Sequence, residues 1–262
     1  ADGAWQGSMI ATIDGAVRKG SDYLWAAYLR RYVADPASMT AAGQASMTSA
    51  DWAALAVDDD GHDPFPDAAL CAGLARDHGS SLQAVGVSAA ELVAAAASTA
   101  RPMHSLLTLL DHVGGYREDP LRKKAALLGV ILRQRPERFL PDAAGDDERG
   151  DDAPPIVDYH VQRSCLRTGM VVADDDALRS KLFDRRVLDE AEEWAVRRAT
   201  FDAVAALAER SGRSMGAVDW FLFQMRHRCP EVTAPVCAEC PADPACGHHV
   251  QLFQPVRRTT FY

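Results

Sequence analysis

The sequence predicts an all-α protein, and three observations carry that expectation. Apolar residues recur at helical spacing, and the single stretch that reads as a strand is Val250 to Phe253. Ser, Thr, Asp and Pro precede the periodic stretches and Gly follows several of them, as at capped helix ends. Four of the six cysteines then crowd into Cys229-x7-Cys237-x2-Cys240-x5-Cys246, so the last helix delivers the chain into a short thiol-rich loop.

After a short lead, Ser21 to Tyr32 is expected to be helical, with Tyr23, Leu24, Tyr28 and Leu29 in register and Trp25 beside them. Thr48-x-x-Asp51 caps the next helix, which stops at the acidic run from Asp58. Pro66 and Asp67 open a helix through Leu70 and Leu74, and Ser88-x-x-Glu91 is a capping box before an alanine-rich helix to Ala97. A short helix from Pro102 to Leu110 ends before Gly114 and Gly115. Pro120 is expected in the first turn of a helix through Lys124 and Ile131 to Arg135. Past an acidic loop closed by Pro154 and Pro155, Asp158 begins a helix through Leu166 and Asp174 caps another. A long helix spans Leu188 to Arg210, and the last runs from Ser214 to Arg228.

The length of 262 residues accommodates one large domain or two smaller ones sharing a cleft. The expected division is 1–100, 101–187 and 188–262; in a two-lobed arrangement the N-terminal segment joins the C-terminal helices and the middle helices form the other lobe. No run of 18 apolar residues and no charged-then-apolar leader is present, so a soluble, cytoplasmic, monomeric protein away from membranes is expected. The net charge of −9 resides in two acidic segments, 58–63 contributing −4 and 142–152 contributing −5, and the remainder is neutral. A neutral remainder leaves room for a basic face toward a nucleic acid.

The thiols select the metal chemistry. Zinc ribbons bring cysteines in two close pairs, whereas gaps of seven, two and five suit one cubane whose four irons each take a thiolate. A [4Fe-4S] cluster on Cys229, Cys237, Cys240 and Cys246 is therefore favoured over zinc, for which His248 and His249 offer further ligands, and over disulfides. Cys71 and Cys165 are expected to be small buried hydrophobes.

Val157-Asp158-x-His160 followed by x-x-Arg163-x-x-x-Arg167-Thr168 resembles the helix carrying the catalytic aspartate in the helix-hairpin-helix DNA glycosylase superfamily. The resemblance is to the endonuclease III branch, which ends in a [4Fe-4S] loop entered from a helix similar to Val218-Asp219-Trp220-Phe221-Leu222 through Arg228-Cys229. It covers residues 102–246, and Gly20 to Trp25 faintly resembles the start of the archaeal 8-oxoguanine branch. The resemblance implies a two-lobed glycosylase-like fold with a structural cluster, and base excision from damaged DNA with Asp158 as the catalytic carboxylate. Such a carboxylate stabilises positive charge growing on the sugar as the N-glycosidic bond breaks.

Lyase members of that family add a lysine that attacks C1′ to form a Schiff base. The family's hairpin lysine falls at Tyr116 of Leu110-Asp111-His112-Val113-Gly114-Gly115-Tyr116, while Lys123 and Lys124 lie on the next helix. Lys124, 34 residues before Asp158, is the nominated nucleophile. Tyr159, Tyr116, Trp25 and Arg163 are the candidate substrate contacts, and Trp52 and Tyr23 are further aromatics that could face a base. Relatives that act on DNA carry cations between the first two cluster cysteines, but Pro230 to Val236 carries none here. Arg163, Arg167, Arg226 and Arg228 are the remaining candidates for a basic surface. A modified nucleoside or nucleotide, as in queuosine-salvage glycosylases, and a non-catalytic nucleic-acid-binding module are the alternatives to a DNA glycosylase.

Overall fold

The computed structural model describes residues 10–65, 67–143, 151–230, 233–255 and 261. Among these residues there are eleven α-helices and one two-stranded antiparallel hairpin, so the protein is mostly helical as expected. The chain divides into two compact units, one comprising Ala4–Ala95 with Thr108–Glu118, the other Ala96–Leu107 with Asp119–Tyr262. The N-terminal helices close a core of their own.

That core belongs to β1 (Ile10–Ile13), β2 (Ala16–Lys19), α1 (Ser21–Ala34), α2 (Ala41–Ala45), α3 (Ser49–Ala56) and α4 (Ala68–Val85). Ile13, Tyr23, Ala27, Trp52, Leu55, Phe65 and Ala72 are buried together, and the Phe65 ring lies 5.9 Å from Tyr23 and 6.1 Å from Trp52. α4 lies so close to α2 that the backbone of Ala41 and Ala45 fills the place of a Cβ on Gly79. The strands were not expected. They pair Ile10 with Lys19 through Ile13 with Ala16, turned by Asp14 (φ 52°) and Gly15 (φ 72°), both left-handed as a tight hairpin requires. Asp59, from the first acidic run, accepts from the Asp14 and Gly15 amides at 3.1 and 2.8 Å. The run is thus folded onto the hairpin turn. Capping boxes form at Thr48/Asp51 and Ser88/Glu91, the latter opening α5 (Ala89–Ala97); Asp67 caps α4, and the expected opener Pro66 lies outside the described residues.

The second unit holds α6 (Pro102–Leu110) up to Leu107, with α7 (Lys123–Gln134), α8 (Tyr159–Thr168), α9 (Asp176–Phe183), α10 (Glu190–Ser211) and α11 (Met215–Met225). Its helix starts are held by carboxylates. Asp151 accepts from Met103 and His104 of α6 at 3.0 and 2.9 Å, Asp152 accepts from Met215 of α11 at 2.6 Å, and Asp158 caps α8. The second acidic segment, whose residues 144–150 lie outside the described ones, therefore uses its final aspartates as ties between helices. Each contact favours the anion at the positive end of a helix.

Three boundaries shift. α7 starts at Lys123, after Arg122 in a left-handed conformation, so Pro120 precedes it instead of sitting in its first turn. Asp175, one residue beyond Asp174, caps α9, and α11 ends at Met225. Val250 to Phe253 forms no strand, because the described chain there turns back onto α8 and α9: the His249 amide donates to Arg167 and the Phe253 amide to Leu182. No single helix among the described residues is long and apolar enough to cross a membrane.

Candidate functional site

α8 organises the site because its two ends carry the two features singled out in the sequence. At its start Asp158 has extended backbone, and its Oδ1 accepts the Val161 amide at 3.0 Å. At its end Arg167 and Thr168 hold the cysteine loop. Ten helical residues at about 1.5 Å each separate the ends by roughly 15 Å.

α11 packs on α8 in the same direction. The His160 and Phe223 rings lie 6.3 Å apart near the start, and Arg167 reaches Cys229 at the other end. α11 reads Met-Gly-Ala-Val-Asp-Trp-Phe-Leu-Phe-Gln-Met, so Asp219 is its one charge. Burial first, and the Asp158 carboxylate second, push the Asp219 carboxyl up to about 6 against the opposing pull of Lys123. Asp158 and Lys123 thus both act on Asp219 at the head of α8.

Asp219 and Lys123 were not singled out as site residues. Asp219 had served only to mark the approach to the cysteines; a lone acid in an otherwise apolar helix was the signal available. Lys123 stands at the first position of α7, where its amide donates to Asp119 at 2.8 Å. Lys124 is half-buried and one helical step further round.

At the other end, Cys229, Cys237, Cys240 and Cys246 all line one small cavity, with Arg167, Thr168, Met225 and Asp243. Arg167 donates from Nη1 to the Cys229 sulfur at 3.3 Å and to the carbonyls of Cys229 and Pro230 at 3.1 and 3.0 Å. The His248 amide donates to the Cys246 sulfur at 3.4 Å. The Cys237 thiol is pushed up by burial, then by Asp243 and the other three thiols, as expected where four sulfurs converge. Four convergent thiols with a guanidinium and an amide directed at them fit a thiolate-bound metal group, because such donors stabilise the anionic ligand. Cys237, Asp243 and His248 also offer ligand atoms within 4.8 Å of one another, a mixed set suited to a single hard or borderline ion. The Gly247 amide donates to Thr168 at 2.8 Å, tying the loop's exit back to α8.

The other nominated residues are dispersed. Arg163 is 3% exposed, its guanidinium packed 4.7 Å from the Tyr159 ring and 4.0 Å from Phe253, with Nε donating to the Gln254 carbonyl at 2.7 Å. It braces Tyr159 and offers no accessible cation. Arg167 is likewise buried, Arg226 stacks on Phe223 at 3.6 Å, and Arg228 pairs with Glu239 at 2.8 Å. The expected basic surface is reduced accordingly. Of the segment without cations before Cys237, Glu231 and Val232 lie outside the described residues, and Thr233, Ala234 and Val236 are exposed.

Trp25 and Tyr116 belong to the N-terminal unit. Trp25 is 75% exposed on α1, whereas Tyr116 lies 6.3 Å from the His78 ring and its hydroxyl pKa is raised by burial. Tyr23 and Trp52 are core residues. Cys165 is buried, as expected of a small hydrophobe, its thiol pushed up to about 12, whereas Cys71 is only partly buried against the N-terminal core.

A larger cavity, about 1150 Å³, opens between the ends of α7 and α10 and the start of α11 and is lined by Arg133, Arg138, Asp152 and Arg213. It includes none of Asp158, Asp219 and the cysteines, and Arg133 and Arg138 are engaged by Asp142. The chemistry and this cavity do not coincide. Neither a protein-family model nor a curated protein matches this chain.

Proposed function

We propose that the protein is an N-glycosylase that cleaves a base–sugar bond, with damaged-base DNA as its substrate and Asp158 as its central carboxylate. The observation that carries this reading is the gathering of Asp158, Asp219 and Lys123 at one end of α8, with four thiols at the other. Bond cleavage leaves positive charge at C1′. An anion held by a helix start, with Oδ2 taking no hydrogen bond among the described residues, is suited to face that charge. Tyr159, braced by Arg163, stands beside it as the aromatic nearest in sequence.

Cys229, Cys237, Cys240 and Cys246 would hold a [4Fe-4S] cluster. With four protein thiolates and no open coordination position, the bound cluster would serve as a cross-link holding the loop. This chain's own contribution is Arg167, which joins that loop to the helix bearing Asp158. A loosened loop thereby disturbs a carboxylate roughly 15 Å away through α8.

One observation favours a second substrate class. Burial of Arg163 and Arg167, together with the pairing of Arg228, removes three of the four cations expected to meet phosphates, and a modified nucleoside or nucleotide needs fewer such contacts. The test is base release from damaged-base duplexes and from modified nucleosides, with Asp158→Asn as the control. Release from duplex lost in the variant supports the DNA reading. Release from nucleosides alone selects the second. No release from any substrate, with duplex binding retained, indicates a non-catalytic module.

A further inference from the structure

The catalytic reading so far gives a role to one carboxylate of two. Asp219 lies on α11, whose alignment with α8 is fixed at two points, His160 beside Phe223 and Arg167 on Cys229. Those pairs imply that the helices run in the same direction with an offset of about 63 residues, which puts Asp219 near the level of the α8 cap. Phe223 is one turn after Asp219 and so shares its face of α11, the face turned toward His160 and the α8 cap. Asp152 pins the start of α11 through the Met215 amide at 2.6 Å, and Gly216 leaves room for Val130 and Gln134 of α7.

These contacts fix Asp219 between two neighbouring helices. The charged groups acting on it are Asp158 from the α8 cap and Lys123 from α7; α10, which also packs on α11, contributes none among the described residues. His160 is the remaining titratable group facing this part of α11.

Burial in an apolar helix, with the Asp158 carboxylate acting on it, favours the protonated form of Asp219. We infer that Asp219 is a catalytic proton donor that protonates the departing base while Asp158 faces the sugar. This inference rests on the glycosylase reading and adds an acid to it. The C1′–N bond breaks with its electron pair passing to the base nitrogen, which takes the proton from Asp219. The Asp158 carboxylate faces the cation left at C1′. Water then forms the C1′–O bond and returns its proton to the carboxylate pair, which carries one proton before and after turnover. Burial of Asp219 sustains the protonated form into the range where the donor operates: its carboxyl titrates near 6.

The experiment measures base release against pH for the native protein and for Asp219→Asn, Asp219→Glu and Asp158→Asn, with the Asp219 carboxyl followed by carbon-detected NMR. Native kcat/KM is expected to fall as pH rises through about 6, the alkaline limb of the donor. Asp219→Asn should lower it by roughly 10²-fold and abolish that limb, with partial recovery in Asp219→Glu. In Asp158→Asn the Asp219 titration should move down, because the nearby negative charge is gone. Release that is lost in Asp158→Asn yet unchanged in rate and pH profile in Asp219→Asn would overturn the proton-donor role and leave the glycosylase standing. Absence of release by the native protein from every substrate defeats the glycosylase reading and this inference with it.

Discussion

The guanidinium of Arg197 donates from both Nη atoms to the two oxygens of Asp119, each at 2.8 Å, with both side chains buried. The same carboxylate accepts the amides of Leu121 and Lys123 at 3.0 and 2.8 Å, so one aspartate joins the middle of α10 to the start of α7. Removing one partner of a buried pair strands the other charge, and Arg197→Met should lower stability by about 3–5 kcal/mol in urea unfolding. Asp119→Asn in the Arg197→Met background should recover part of that loss, since no charge then remains buried. A loss in the single variant below about 1 kcal/mol would show the pair to be dispensable.

The cysteine loop makes a second prediction. Replacing any of Cys229, Cys237, Cys240 or Cys246 by Ser should remove absorption near 400 nm (an approximate position for thiolate-bound iron) together with the bound iron, while Cys71→Ser and Cys165→Ala retain both. Arg167→Gln keeps four thiols but loses the guanidinium on Cys229 and the clamp on Pro230. It should release metal to a chelator about 10-fold faster or more, as substitutions around ligands do. Colourless native protein with one tightly bound zinc would replace the cluster by the mixed or tetrathiol site.

How much of this was legible follows from how local each signal is. Capping boxes at Thr48 and Ser88 and the Asp158 cap depend on residues three apart, and each is formed as expected. The hairpin at Asp14-Gly15 carried its own turn signal, yet four-residue strands are too short for alternation to register. Pro120 misled because Asp119 draws the Leu121 and Lys123 amides toward Arg197, a partner 78 residues away, and delays the helix. Arg163 and Arg167 looked like surface cations since sequence spacing does not show which face of α8 is covered; the carbonyls of Cys229, Leu252 and Gln254 engage them there. The grouping of Asp219 with Asp158 required α11 to lie along α8, a tertiary fact with no local trace beyond one acid in an apolar helix.

Asp219 also makes a stability prediction independent of any substrate. Its folded pKa lies above the unfolded value, so the native chain keeps a proton that the unfolded chain releases. That contribution is fully present below about pH 4 and is lost as pH rises toward 6. Asp219→Asn removes the dependence. At pH 7 the variant should be more stable than the native protein by on the order of 1 kcal/mol, discounted for solvent screening at a half-buried position, with a smaller gain or none at pH 4. Thermal unfolding at the two pH values measures it, and a variant that is less stable at pH 7 contradicts the assigned environment. A gain in stability on removing the group would agree with a site held for chemistry at the expense of the fold.

The two lysines of α7 separate by the same logic of faces. Lys124 has the spacing to Asp158 that nominated it, whereas Lys123 is the one whose charge acts on Asp219. Adjacent helical residues point about 100° apart, so both cannot address one sugar carbon equally. If the protein has lyase activity, borohydride should trap a covalent adduct with abasic duplex, and the structure predicts that Lys123→Ala loses it while Lys124→Ala keeps most of it. Lys123→Ala should also raise the Asp219 titration, since an opposing positive charge is removed, and this provides a readout with no dependence on turnover. Trapping lost only in Lys124→Ala would return the nucleophile to the position that sequence spacing suggests. Trapping in neither native protein nor variants would confine the chemistry to the two carboxylates, with Lys123 holding their combined charge in check.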